Sequence, residues 1–162
     1  MSRWQRSRRA CCWGGAAFLL TSPTTPVLHA QVADWNAKGV QNAQRAWQNW
    51  TLNCQGCHRP DGSGSAGTTP SVAGNVAKFL SAAQGREYLA RVPGVATSPL
   101  SDGDLAEVLN WMLWRFDAQD LPANFVPFTA VEVADLRKRP LRLEASRMRS
   151  DLATKAGVAA AQ

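Results

Sequence analysis

The chain has 162 residues, room for one domain of common size and long enough to bury a core without disulfide staples. Its formal charge is +6, but four of the 18 Lys and Arg, and no acid, lie in the first thirty residues, which leaves 14 minus 12, or +2, for the remainder. A nearly neutral chain behind a leader of that kind excludes nucleic acid as a natural partner.

Residues 1–30 read as a signal peptide: a basic stretch (Arg3, Arg6, Arg8, Arg9), the apolar run ACCWGGAAFLL, then a polar, proline-bearing stretch ending VLHA. Cleavage is expected near Ala30. The apolar run is too short to span a bilayer as a helix, which takes about twenty residues. The mature protein is therefore expected to be exported and soluble, in the periplasm.

WNAKGVQNAQRAWQNWTLNC follows, free of proline, with Val40, Ala43, Ala46, Trp47 and Trp50 at helical spacing, and predicts a helix over 36–52. It leads into NCQGCH, where Cys54 and Cys57 stand two residues apart with His58 directly behind. RPDGSGSAGTTPSVAG is next, a loop by composition, either a flexible linker or a shaped one. NVAKFLSAAQ and GREYLARV read as short helical pieces that bring Phe79, Leu80, Tyr88 and Leu89 to the interior. In SDGDLAEVLNWMLWRF, Ser101 is an N-cap, Asp102 and Asp104 sit where the helix dipole favours acids, and Leu105, Val108, Leu109 and Met112 make one apolar face. Beyond an extended proline-containing stretch come a helix capped by Thr129 with Glu132 in the box position, a break at Pro140, a basic helix to about 155, and a frayed AGVAAAQ end. Positive charge concentrates there: residues 133–162 hold seven basic and three acidic groups. No repeat, nucleotide-binding glycine loop or alternating strand pattern is present, so the mature chain is expected to be all-α.

The cysteines narrow the chemistry. Cys11 and Cys12 leave with the leader, so only Cys54 and Cys57 remain, with His58 the only histidine beside His29 of the leader. A structural zinc site needs four ligands and is short of partners. A thioredoxin-like pair opens a helix after a strand, whereas this motif follows a helix and precedes a glycine-rich loop. A bare disulfide gives no reason for the histidine. Covalent haem needs two thiols to add across its two vinyl groups and an imidazole close behind to reach the iron, which Cys-x-x-Cys-His supplies. His58 is then the proximal iron ligand, and the carbonyl of Pro70 is the candidate acceptor for its other ring nitrogen.

On these residues the chain resembles the class I cytochrome c family over roughly 36–116, through the helix leading into CQGCH, Pro70 twelve residues past His58, the capped helix SDGDLAEVLNWML, and Trp111. REYLARVPGVATSPLSDGDLAEVLNWML looks like the small exported monohaem cytochromes of proteobacteria. The resemblance implies a cytochrome c-like helical fold around one covalently bound haem c, in a domain over 31–128 that a basic helical extension, 129–162, follows. It implies a first helix crossing the last near Trp50 and Trp111, with Ala46 small enough for close approach. It also implies single-electron transfer rather than enzymatic turnover, with a periplasmic dehydrogenase, an oxidase or another cytochrome as partner. The basic extension is either a solvated helix or a docking surface for an acidic redox partner or an anionic membrane face.

One departure stands out. A typical member takes a methionine sulfur as sixth iron ligand from the loop before the last helix, and here that loop, RVPGVATSPLSD, holds neither Met nor His. Met112, on the apolar face of the last helix, is either core packing or the first candidate in its place. Met148, Lys38, Lys78 and the new N-terminal amine are remoter ones, and an open site is the alternative. An open iron would suit a sensor, a gas-binding protein or a peroxidase-like one, with Arg91 the basic group of that loop.

Overall fold

A computed structural model describes residues 34–158; the leader with its cleavage site and the last four residues lie outside them. The regular structure of the described residues is helical, with a single antiparallel bridge between Ser65 and Thr69. In order the elements are α1 (34–37), α2 (Ala43–Asn53), α3 (Gln55–His58), the 3-10 turn η1 (Ala77–Ser81), α4 (Gly85–Arg91), α5 (Pro93–Ala96), α6 (Asp102–Asp117), η2 (Ala118–Asp120), α7 (Ala130–Leu136) and α8 (Ala145–Ala156). Among the described residues no helix is long and apolar enough to cross a membrane.

The helix expected over 36–52 is interrupted. Gly39 takes φ +75°, where side chains are strained, and its position leaves no room for one against Pro127 and Asn110. α2 therefore starts afresh, with Asn42 as N-cap accepting from the backbone of Arg45. The expected caps are present: Ser101 Oγ accepts from Asp104 N at 3.1 Å and donates to Asp104 Oδ2 at 2.6 Å, and Thr129 Oγ1 accepts from Glu132 N at 3.2 Å. NVAKFLSAAQ tightens into η1. The loop expected before α6 contains the single turn α5, opened by Pro93 at a position where the missing N–H costs nothing.

α2 crosses α6 where Ala46 is wholly buried, and the indoles of Trp50 and Trp111 meet with centroids 6.0 Å apart. Phe116 completes the cluster, 4.9 Å from Trp50 and edge-on to Trp111. One hydrophobic core continues from this crossing through Phe79, Tyr88 and Leu89 to Phe128, Val133, Leu136, Leu141 and Leu152. At its edge η1 and α4 press together so closely that Gly85 has no space for a Cβ against the Phe79 carbonyl.

Residues past 128 wrap this same core and are joined to it by polar contacts. Arg137 donates to the carbonyls of Ala96 (3.1 Å), Leu100 (2.9 Å) and Ser98, and to Asp102 Oδ1 at 3.0 Å. Arg86 grips Glu132 with two hydrogen bonds and lies over the ring of Phe128. The amide of Leu141 donates to Arg91 O, and Arg91 Nε donates back to Arg139 O at 2.7 Å. α8 lies on η1, burying Leu152 and Ala153 and placing Arg149 over Phe79. Of the end expected to fray, the described part is ordered: Gly157 takes the left-handed C-cap conformation and Val158 is buried. Of the basic residues of this segment, Arg137 is thus spent on contacts to earlier elements and Arg149 on the Phe79 ring, while Lys138, Arg139, Arg142, Arg147 and Lys155 stay exposed.

Candidate functional site

α2 delivers its last turn to Cys54, whose amide still bonds to Trp50 O at 2.9 Å, and α3 then adds a single turn. On a helix, positions i, i+3 and i+4 share one face, so Cys54, Cys57 and His58 are displayed together. The two thiols are free. Cys57 is exposed, while burial, reinforced by the neighbouring Cys57, pushes Cys54 up to about 11, so that it stays protonated at neutral pH.

His58 is half-buried, with its ring centroid 5.9 Å from that of Trp50. Its Nδ1 lies 3.2 Å from the carbonyl of Pro70. A carbonyl can only accept, so the proton sits on Nδ1 and Nε2 keeps its lone pair, the state a metal-ligating imidazole needs. Burial lowers the pKa of the ring and the Pro70 carbonyl works against that shift.

The loop that carries Pro70 is shaped rather than a linker. Arg59 turns the chain at φ +63°, an unusual conformation for a residue with a side chain. Gly64 N then donates to His58 O at 3.0 Å, Val72 N to Gly62 O at 2.8 Å, and Gly74 N to Phe116 O at 3.1 Å. Gly64 packs on the Thr69 and Pro70 carbonyls, where no Cβ fits. The loop is thereby pinned at one end to the motif and at the other to α6.

Two thiols and a nitrogen lone pair on one helical face match the donor set of covalently attached haem. Trp50 Nε1 is buried beside them with no hydrogen-bond partner in the protein. Among the described residues no group of three or more His, Cys, Asp or Glu is arranged to hold a metal ion by itself.

The candidates for a sixth ligand are placed as follows. Met112 is buried on α6, next to Trp111. Met148 lines a groove between α4 and α8 with Arg91 and Leu141. Lys38 is paired with Asp34 and Lys78 with Asp120. Arg91 is committed to Glu87 and to Arg139 O. Sequence reasoning missed Arg137, whose guanidinium fastens the loop ahead of α6; a cation among carbonyls has no periodicity to reveal it.

Two proteins named cytochrome c-552, both from Thermus thermophilus, are similar to this chain. One is 36% identical over 121 residues, covering 64% of this chain and 82% of that protein. The other is 36% identical over 106 residues, covering 54% of this chain and 81% of its own length. No family model matches the chain, and no solved structure does.

Proposed function

Because this chain belongs to the c-type cytochrome family and is an electron-carrying cytochrome with the all-α fold of that family, we propose that it is a small exported monohaem protein of class I type. Haem c, the cofactor the family implies, is attached once, through thioethers to Cys54 and Cys57, with His58 as proximal ligand. The observation that carries this assignment is the display of both thiols and His58 on one turn, with Nδ1 of His58 held by Pro70 O at 3.2 Å.

When bound, the haem supplies a one-electron couple. The chain's own residues do the rest. Cys54 and Cys57 fix the position, Pro70 fixes the tautomer and tilt of His58, and Trp50, Trp111 and Phe116 keep water from the proximal side. A packed surround that cannot rearrange keeps reorganisation small, as a carrier needs. The site of work is the periplasm, after removal of residues 1–30, and the partner is a periplasmic dehydrogenase, an oxidase or another cytochrome. The cytochrome domain is 31–128, with 129–162 as a basic helical extension. Met112 is the sixth ligand in this reading.

A second reading is favoured by the loop before α6, which has neither Met nor His and is fastened by Arg137. An iron without an internal sixth ligand would bind a small molecule instead. A peroxidase-like role is disfavoured, because Arg91 is turned to Glu87 and Arg139.

Optical spectra of the exported protein, oxidised and reduced, with and without carbon monoxide, test both. A low-spin spectrum indifferent to carbon monoxide, lost in Met112→Leu, is the expected result. A high-spin spectrum that shifts readily with carbon monoxide would move the ligand-binding reading ahead, and no haem bands from a competent host would end both.

A further inference from the structure

α8 carries a charge pattern that the carrier reading does not use. Glu144, Arg147, Asp151 and Lys155 border the groove between α4 and α8, with Met148 among them, and the four charged side chains are exposed. Their signs alternate along the helix. Spacings of three and four residues usually let such neighbours pair on their own helix. Among the described residues, however, none of the four forms an ion pair, whereas Lys138 and Arg139 both do so with Asp135. The stripe is electrically balanced and its charges are uncommitted.

A uniformly acidic protein or an anionic membrane would meet Glu144 and Asp151 as well as the two cations, so the alternation favours neither. What it matches is its own reverse. Turned end for end, the stripe sets Glu144 opposite Lys155 and Arg147 opposite Asp151, and two-fold symmetry makes each pair occur twice. A parallel arrangement would set like charge on like. The two pairs have nearly one centre, beside Met148, so the half-buried thioether side chains of two copies come together there. Leu143, 99% exposed just ahead of the helix, then comes opposite the last turn of the second copy.

We propose that this face of α8 is a self-association surface, on which two copies of the chain pair antiparallel through two Glu144–Lys155 and two Arg147–Asp151 contacts around Met148. The inference does not depend on the haem. With 12 residues, α8 is about 18 Å long, so the contact is smaller than that of a permanent dimer. Its charges lie in water, where salt screens them. The dimer is therefore weak, and it forms and dissolves with concentration and ionic strength.

The test is analytical ultracentrifugation of the purified exported protein at concentrations up to about 1 mM, enough to populate an undersized interface, in low and in high salt. The mass should rise from one chain toward two, with a dissociation constant about tenfold larger, or more, in high salt. Arg147→Glu and Asp151→Arg each set like charges opposite one another and should each weaken the dimer about tenfold or more. Mixed together, the two variants should pair as tightly as the wild type, because one is negative and the other positive at both positions. Such recovery also shows that both variants are folded. A wild type that stays monomeric throughout overturns the proposal, whether or not it sediments with phosphatidylglycerol vesicles. So does a dimer indifferent to salt or to Arg147→Glu, and so does a mixture that fails to pair. A protein without haem bands that still dimerises in this way would end the carrier reading and leave the α8 contact standing.

Discussion

The α2–α6 crossing and the wrap of residues 129–158 both close the same core, by opposite means. At the centre of the crossing, Ala46, Trp50 and Trp111 meet without a hydrogen bond, and the polar ties between the two helices, from Asn42 N and Arg45 to Glu107, are confined to the start of α2. In the wrap, Arg137 ties α7 to carbonyls and a carboxylate of earlier elements, Arg86 of α4 grips Glu132 of α7, and the apolar side chains of Val133 and Leu136 fill in behind. Apolar contact is tolerant of direction and intolerant of lost volume; a guanidinium fork is the reverse. The place that has to receive a large flat cofactor is built from the first kind, while the loop ahead of α6 is fastened by the second.

Substitutions at three positions would sharpen that contrast. Trp50→Ala removes the largest fully buried side chain and should cost about 3–5 kcal/mol in thermal or denaturant unfolding, with Trp50→Phe recovering a good part. Arg137→Ala leaves three carbonyls short of a donor and should cost about 2–3 kcal/mol. Arg137→Lys should restore little, because an ammonium cannot span carbonyls at Ala96, Ser98 and Leu100 together; full recovery by lysine would mean that charge, not the fork, holds the wrap. Ser101→Ala should cost about 1 kcal/mol by uncapping α6. A loss there as large as that for Trp50 would show that the start of α6, rather than its crossing, governs stability.

What could be read in the sequence was what repeats or sits at fixed spacing. The thiols and imidazole of the motif, the caps at Ser101 and Thr129, and the apolar face from Leu105 to Met112 are local patterns with local causes. The break at Gly39 was harder, because helical spacing runs through it. What interrupts the helix is distant: Asn110 Nδ2 donates to Gly39 O at 3.0 Å and also bonds Phe128, drawing three separated segments to one buried amide. The wrap was read as a charged tail, since arginines facing carbonyls and arginines facing water have the same letters. η1 appeared as an ordinary helical piece; its tight geometry comes from α4 pressed against it.

Gly85 carries a consequence for inheritance. Its contact with the Phe79 carbonyl excludes a Cβ of any kind, and every missense change of a glycine codon introduces one. Whatever else drifts among descendants of this gene, the seam between η1 and α4 can persist only with glycine at that position, or must be rebuilt as a whole.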